Sequence, residues 1–436
     1  MTDKQKRRTF LKVAGSTGAI GITGLAGCSG GGGSSGGTSG GDTETSGGTT
    51  GASGGGTQTI TLGGSMSLSG DNANLGQLYK DAYQLTIDRI NQNGGFKAGD
   101  GNTYELEMIL RDDGTDPSKA KSIYQELIAQ ENVKYLLGPY ASSVTLPASA
   151  VAAANKRPMV EGGGASPEIF QQGNEWIFGL LPTADKYPKS TIEMSTKQDP
   201  KPSRAALLVQ DDTFSKFAAK GAREKIQNTE GLEVVVDRTF PSSTSDLSTA
   251  LGQVRSANAD ILLLCAHQRH ATIAAGQMET QNVNVDLAMA TVGTLTDSFK
   301  KQTGKNGNYW YGPSSWASSA NFQDPVYGNT QNYVKAIKNK YDYTPDYHSA
   351  AGATVIETFL QAFKQVDELG PTPVRNAIRD IQYTSLYGDI SFAKNGVINK
   401  NMLVYQWQPD AGKTIVWPKS VQQQAPIYPM PNWSER

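Results

Sequence analysis

The sequence has few cysteines, no excess of charge of either sign and no long apolar run. Its 436 residues include two cysteines, Cys28 and Cys265, so a disulfide framework is excluded. Forty basic and 41 acidic residues give a net charge of -1, which argues against a nucleic-acid partner. No apolar stretch reaches the roughly 18 residues that span a bilayer. The composition therefore predicts a soluble body, with Cys265 as a small core residue within the apolar run 261–266.

The sequence also lacks the motifs of several enzyme classes. It contains no G-x-x-x-x-G-K-[ST] phosphate loop, so it is not predicted to be an ATPase. Its three histidines form no plausible catalytic triad, and His267 and His270 have no evident third partner for a metal. We therefore predict a protein that is not an enzyme and that has no cofactor and no metal site.

The N-terminus reads as an export signal, residues 1–28. A basic segment from Lys6 to Lys12 precedes a short, weakly apolar stretch, the order of a secretory signal. The pair Arg7-Arg8 before Phe10-Leu11-Lys12 resembles the twin-arginine export motif, although Lys6 stands where Ser or Thr is usual. The segment 25–28, Leu-Ala-Gly-Cys, matches a lipobox, which predicts cleavage before Cys28 and a lipid on its sulfur. An ordinary leader with an incidental cysteine is the alternative.

Residues 29–56 are almost entirely Gly, Ser and Thr. Such a segment buries too little apolar surface to offset its ordering entropy, so we predict a flexible tether. Together, these features place the protein on the outer face of the cell membrane.

The remaining chain alternates strand and helix patterns, which predicts an α/β fold. Asp116 and Pro117 are a typical helix start. Unalternated apolar runs such as 205–209 and 261–264 are typical of parallel strands covered on both faces. Predicted strands are 59–68, 104–110, 133–137, 158–160, 205–210, 232–236, 261–265, 287–291, 387–392, 402–408 and 414–417, the last three antiparallel. Predicted helices are one from about Leu75 that ends at Gly94-Gly95, a second that begins after Asp116, and 144–155, 214–228, 246–257, 271–281, 295–303, 325–341 and 346–369.

The chain resembles the type I periplasmic binding proteins of the branched-chain amino acid group. The order and spacing of several short segments carry this resemblance: Ser67–Gly70 with Gly76, Asn91–Gly95, Asp112-Asp113 before Asp116-Pro117, Gly138–Ser143 with Pro147-Ala148, Gly162–Glu168, Tyr347–Ala351 and Tyr387–Phe392. The resemblance implies two doubly wound lobes with parallel central sheets, joined by a three-crossover hinge. We assign 57–182 plus 317–386 to lobe 1, and 183–316 plus 387–436 to lobe 2.

The resemblance further implies the substrate-binding component of an ABC importer. Such a protein captures an amino acid, an amide or a small carboxylate by closure of its lobes, and hands it to a membrane permease and its ATPase. The alternative is a receptor or co-receptor of the same fold that feeds a signalling partner. Neighbouring permease and ATPase genes would favour import, and a neighbouring kinase would favour sensing.

The resemblance implies that two loops of lobe 1 meet the ligand. In one, Ser142 and Ser143 follow Tyr140 just before a helix, whose N-terminus suits an anion. Either serine could instead cap that helix. In the other, Gly163 and Gly164 allow close approach of the backbone, and Ala165 replaces the threonine usual in amino-acid binders. Leu75 is a further candidate from lobe 1.

In lobe 2 the resemblance assigns Phe214 to packing on the ligand. The acid that normally holds a ligand ammonium is missing from the loop 267–270, where His267 and His270 are the candidates instead. A buried ammonium needs a paired acid, so this absence counts against a plain α-amino acid unless Asp185 supplies the charge. Arg269 or a histidine could alternatively receive a second anionic group. Trp316 is a candidate cleft aromatic that could equally be packing.

Overall fold

Two large β-sheets organise residues 57–436, the part of the chain that this computed structural model describes. The predicted signal, the lipobox with Cys28 and the tether all lie outside the described residues. Within the described part, no helix combines the length and the apolar character needed to cross a membrane.

The first sheet is parallel except at one edge. Its strand order is β2-β3-β1-β4-β5-β6, and β2 alone pairs antiparallel within it. Its elements are β1 (Gln58–Met66), α1 (Ala73–Gln92), β2 (Phe96–Lys97), β3 (Thr103–Asp112), α2 (Pro117–Ala129), β4 (Tyr135–Leu137), α3 (Ser142–Ala154), β5 (Met159–Glu161), α4 (Pro167–Gln171) and β6 (Ile177–Gly179).

The second sheet continues the same alternation. Its elements are α5 (Lys189–Ser195), β7 (Arg204–Gln210), α6 (Thr213–Gln227), β8 (Glu233–Phe240), α7 (Ser248–Ser256), β9 (Ile261–Cys265), α8 (Gln268–Thr280), β10 (Leu287–Ala290), α9 (Asp297–Thr303) and β11 (Tyr311–Ser314). The strands β8-β7-β9-β10-β11 are parallel neighbours. All five side chains of β9 are buried, which confirms that its unalternated apolar run is covered on both faces.

The C-terminal part of the chain contributes elements to both lobes. It consists of β12 (Gln323–Asp324), β13 (Gly328–Asn329), α10 (Thr330–Tyr341), α11 (Tyr347–Gln365), α12 (Pro371–Asp380), β14 (Tyr383–Ser385), β15 (Gly388–Ile390), β16 (Leu403–Gln408) and β17 (Gly412–Trp417). Helices α10 and α11 pack on α1 beside the first sheet, whereas β16 and β17 extend the second sheet antiparallel beyond β11. The chain therefore crosses between the lobes three times, and the predicted fold class is confirmed.

The exact lobe boundaries stay a prediction. Val397 forms a bridge with Gly179 of β6, and the ring of Phe392 packs 5.3 Å from that of Phe178. Residues beyond the predicted boundary at 387 thus still contact the first sheet.

Helix starts follow the side-chain caps. Asp116 accepts hydrogen bonds from the N–H groups of Ser118 and Lys119, and Pro117 opens α2, as predicted. The predicted helix 325–341 begins late, at Thr330, because residues 323–329 form a short hairpin and Asn329 provides the cap. The sequence analysis did not predict β11, because Gly312 and Pro313 are residue types that are uncommon inside strands. It also missed β6 and the helices α4, α5 and α12.

We expect Gly221→Ala to destabilise the protein. A Cβ on Gly221 would lie 2.0 Å from the backbone oxygen of Asp185, and such overpacking costs about 1–3 kcal/mol. The matched control is Gly276→Ala in α8, where no atom lies within 4 Å of the added Cβ and the helix gains up to about 1 kcal/mol. Urea unfolding of the two variants measures both effects, and equal stabilities would contradict the packing argument.

Candidate ligand-binding cleft

The candidate site lies where the strands of both sheets end. Tyr140 and Ser142 follow β4, and Gly163 and Ala165 follow β5. From the other sheet, Phe214 stands after β7, His267 after β9 and Val292 after β10. Ligand sites of open α/β sheets form outside the carboxyl ends of the strands, so the topology itself brings these loops together.

These loops meet around a narrow inner cavity of about 10 Å³, room for about one water molecule. Six of its eleven lining residues carry a ring: Tyr140, Tyr187, Phe214, His267, Tyr347 and His348. The ring of Tyr187 packs edge-on to Phe214 at 5.2 Å, and Tyr347 stacks on His348 at 3.9 Å. Leu181 and Val292 complete the apolar part of the wall, and the surrounding side chains fill most of the space in this closed arrangement.

Four consecutive amides of the loop after β5 are bound within the protein. The N–H groups of Gly163 and Gly164 donate to Glu161 Oε2 at 2.8 and 2.5 Å. The N–H groups of Ala165 and Ser166 donate to Ser142 Oγ at 3.1 and 3.0 Å. Ser142 therefore ties the two loops together, and these four donors are not free for a ligand.

The loop before α3 has strained backbone. Ala141 adopts φ 78° and ψ 138°, a conformation rare for residues other than glycine and most often found where a site imposes it. The N–H groups of Ser142 and Ser143 follow at the start of α3, where no intrahelical partner exists. The Ser142 hydroxyl oxygen already accepts two hydrogen bonds. The groups of this loop that could bind an anion are therefore the backbone N–H groups at the start of α3.

His267 connects the two lobes across the cavity. Its Nδ1 lies 3.2 Å from the Tyr140 hydroxyl, and its Nε2 lies 3.8 Å from Asp212 Oδ1. Burial raises the pKa of Asp212, but the hydrogen bond and charge of His267, together with Ser215, outweigh this and lower the pKa. Asp212 is therefore an ionised partner of His267.

His348 and its partner Asp346 were missed as site residues. His348 lines the cavity, and its Nδ1 lies 2.8 Å from Asp346 Oδ2. Asp346 also caps α11 by accepting the N–H groups of His348 and Ser349. The sequence did contain a signal for this pair, a histidine two residues after an aspartate that can cap a helix. Such a cap fixes the start of the helix and therefore the position of the imidazole.

The other predicted residues lie around the inner cavity. Ser143 and His270 line an adjoining outer pocket of about 410 Å³, which shares His267 with the inner cavity. Leu75 lines a third pocket, between the start of α1 and α8. Gly164 packs against Thr145 and Ile169 instead of lining the cavity.

Two predicted residues point elsewhere. The Asp185 carboxylate pairs with Lys189 at 2.9 Å and lines a separate groove, so it does not face the inner cavity. The Trp316 side chain is buried, and its indole N–H donates to the Leu386 carbonyl at 2.8 Å. Its position is explained by packing.

The side chains of His270 and Arg269 are also hydrogen-bonded within the protein. His270 lies within 3.0 Å of Gln210 Oε1 and of the Thr244 carbonyl. The Arg269 guanidinium donates to the carbonyls of Ser242 and Thr244, and its Nε lies 3.8 Å from Asp71 of the first lobe. Arg269 thus stands at the cleft mouth and outside the inner cavity.

We expect Glu161→Gln to remove a pH dependence of stability. Burial raises the pKa of Glu161 to about 8 from its usual 4.5, despite the N–H donors of Gly164 and Gly163. Between these values the folded state keeps a proton that the unfolded state has lost, so the free energy of unfolding falls as pH rises from about 4.5 to about 8. The loss is on the order of a few kcal/mol.

Chemical denaturation at several pH values compares the two proteins. The difference between their unfolding free energies isolates Glu161, because every other titrating group is shared. Parallel pH curves would contradict a raised pKa for this carboxyl group.

Comparison with known proteins identifies the family of the chain. A family model described as periplasmic binding protein matches residues 59–413. Leu/Ile/Val-binding protein homolog 8 of Brucella abortus is 25% identical over 389 residues, which covers 83% of this chain and 91% of that protein. Homolog 7 of Brucella suis is 24% identical over 386 residues, covering 82% and 91%.

Solved structures share the fold. A solute-binding protein of an ABC transporter from R. palustris, in complex with benzoate, superposes with a TM-score of 0.72 at 17% identity, covering 86% of this chain and 99% of that one. The branched-chain amino acid transporter substrate-binding protein LivJ of Streptococcus pneumoniae, in complex with isoleucine, gives 0.70 at 17% identity, covering 83% and 100%. The chain belongs to the periplasmic binding protein family and is a type I member of its branched-chain amino acid group.

Proposed function

We propose that this chain is the exported, lipid-anchored substrate-binding component of an ABC importer. In this role it captures an amino acid, an amide or a small carboxylate by closure of its lobes. The observation that carries the proposal is the ring-lined cavity between loops of both lobes, at the carboxyl ends of both sheets. Membership of a substrate-binding family supports the same role.

The charges around the cavity favour a ligand without an ammonium group. None of the eleven lining residues is an acid. Two carboxylates that contact the lining histidines are engaged, Asp212 with Ser215 and His267, and Asp346 with His348 and the start of α11. An unpaired buried ammonium is costly, so carboxylates or amides fit this cavity better than a plain α-amino acid.

The walls of the cavity favour a ligand with an aromatic ring. At about 10 Å³ the cavity is nearly filled by these walls, so a ligand enters only when the lobes separate. Six surrounding rings offer edge and face contacts to an aromatic ligand. The structural neighbour in complex with benzoate supports this choice. Because another neighbour is in complex with isoleucine, branched aliphatic amino acids belong in the same binding experiment.

Closure depends on contacts that join the lobes. Tyr140 meets His267 beside the cavity, and Asp71 meets Arg269 at its mouth. A ligand that touches both sides of the cavity adds to these contacts only when the lobes are together, so it shifts the open–closed equilibrium toward the closed state.

We expect benzoate and benzamide to bind at least as tightly as leucine. A ligand at 100 times its dissociation constant adds about 2.7 kcal/mol of stability, which a thermal-shift assay on residues 57–436 detects. Calorimetry then ranks the dissociation constants. Asp185→Asn is the diagnostic variant: tight leucine binding that this variant abolishes would contradict the argument from the missing acid.

We expect Cys28→Ser to release the protein from the membrane. A serine has no thiol to receive the lipid, and without acyl chains the anchor is lost. Detergent phase partitioning of the full chain expressed in a host with lipoprotein processing measures the change. Cys265→Ala is the matched control, because Cys265 is buried in β9 and should leave partitioning unaltered. Equal partitioning of the Cys28 variant and the unaltered chain would contradict lipid attachment.

A further inference from the structure

The outer pocket has the space that the inner cavity lacks. Its volume is about 410 Å³, against about 10 Å³ for the inner cavity, and the two share His267. Binding sites for small molecules commonly have volumes of about 300–1,000 Å³. The outer pocket can therefore hold a small solute with the lobes as they stand.

The wall of the outer pocket is polar and belongs to both lobes. Its thirteen lining residues include no Leu, Ile, Val, Met, Phe, Tyr or Trp, whereas six residues with rings line the inner cavity. Seven of the thirteen lie between residues 70 and 143 in the first lobe, and the other six lie between residues 210 and 270 in the second. A polar group leaves water at little cost only where it finds new hydrogen-bond partners, so this wall favours a hydrogen-bonding or charged group over an apolar one.

Arg269 brings a permanent positive charge to this wall. Its Nη1 donates to the carbonyls of Ser242 and Thr244 at 3.2 and 2.9 Å, and its Nε lies 3.8 Å from Asp71 Oδ1. Ser242 and Asp71 also line the pocket, so these contacts place the guanidinium at the edge of the pocket. Within residues 57–436, the hydrogen bonds of this guanidinium all use Nη1, which leaves the two hydrogens of Nη2 for a bound anion.

The acids of the pocket leave the charge of Arg269 largely uncompensated. Asp212 accepts hydrogen bonds from the N–H and the hydroxyl of Ser215, both at 2.8 Å, and its other neighbour is His267. The side chain of Asp71 is 59% exposed, and so exposed an ion pair contributes little. Burial lowers the pKa of His270, so this lining imidazole is neutral at pH 7. Among the lining residues, Arg269 is thus the cation that a solute anion can meet.

The start of α3 faces the same pocket from the first lobe. Ala141 and Ser143 line the pocket, and the N–H groups of Ser142 and Ser143 have no intrahelical partner. Such N–H groups carry the positive end of the helix dipole, which stabilises an anion nearby. Two features that favour an anion, a guanidinium from one lobe and a helix start from the other, therefore meet in one pocket.

We propose that the outer pocket binds a carboxylate of a hydrophilic solute, held between Arg269 of the second lobe and the start of α3 of the first. The polar wall selects a solute whose remaining part is also polar, so the substrate class is small hydrophilic carboxylates such as dicarboxylates. An anion in contact with both lobes stabilises the closed state. This inference rests on the proposed function, because it takes the cleft to capture a solute, but it requires no ligand in the inner cavity.

Calorimetry on the full chain tests the charge of the solute. The probes are malonate, succinate and glutarate, each compared with its own diamide, which has the same number of non-hydrogen atoms and no charge. We expect at least one dicarboxylate to bind, and its diamide to bind roughly tenfold or more weakly, because hydrogen bonds to charged groups are the stronger ones. A crystal structure with the bound dicarboxylate then locates its carboxylates.

Three variants test the role of Arg269. Arg269→Gln should weaken dicarboxylate binding roughly tenfold or more. Asp71→Asn breaks the same contact between the lobes but keeps the guanidinium, so the dissociation constant should stay within about threefold of the unaltered value. Arg255→Gln removes an equal charge from the second lobe outside the pocket, where Arg255 donates to the Gln281 carbonyl, and should leave binding unchanged.

Each result supports or overturns the inference. Equal weakening in Arg269→Gln and Asp71→Asn overturns it, because Arg269 then acts through the contact between the lobes. An unchanged affinity in Arg269→Gln, or an equal loss in Arg255→Gln, overturns it as well. Equal binding of a dicarboxylate and its diamide, or binding of benzoate or leucine but of no dicarboxylate, overturns it and leaves the proposed function intact. Failure of every carboxylate, amide and amino acid to bind overturns the proposed function and this inference together.

Discussion

The binding site depends on one set of hydrogen bonds, in which Ser142 and Glu161 accept the amides of residues 163–166. These bonds hold the loop after β5 against the loop after β4, and both loops line one side of the cavity. They also use the backbone donors that would otherwise meet a ligand anion. Within these two loops, the backbone donors without an intrahelical partner are those at the start of α3.

The same bonds explain how a buried acid can serve as a structural residue. Glu161 is fully buried, and within the described residues its Oε1 has no partner. A neutral carboxyl group there avoids the cost of an unpaired buried charge while its other oxygen still accepts two N–H groups. The conformation of the loop after β5 is thus coupled to the protonation of Glu161, which does not itself line the cavity.

Much of the fold could be predicted from the sequence, because parallel strands covered on both faces leave runs such as Ile261–Cys265, and because Asp116-Pro117 marks a helix start. The loops of the candidate site were predicted from the family resemblance, and the structure brings Tyr140, Phe214 and His267 to one cavity. The direction of the Ser142 and glycine-loop hydrogen bonds could not be predicted, since it depends on the side chain of Glu161. Tyr187 and Tyr347 were missed because they come to the cavity only after the first and second crossings between the lobes, respectively.

The two imidazoles of the cavity differ in the contacts that hold them. His267 belongs to the second sheet and reaches Tyr140 of the first, so its contact exists only when the lobes are together. His348 stands on α11, which packs on α1 of the first lobe, and its contact with Asp346 is local to that helix. The first contact therefore depends on closure of the lobes, whereas the second is independent of it. A ligand that contacts both His348 of the first lobe and Phe214 of the second would bridge the lobes, so its binding would stabilise the closed state.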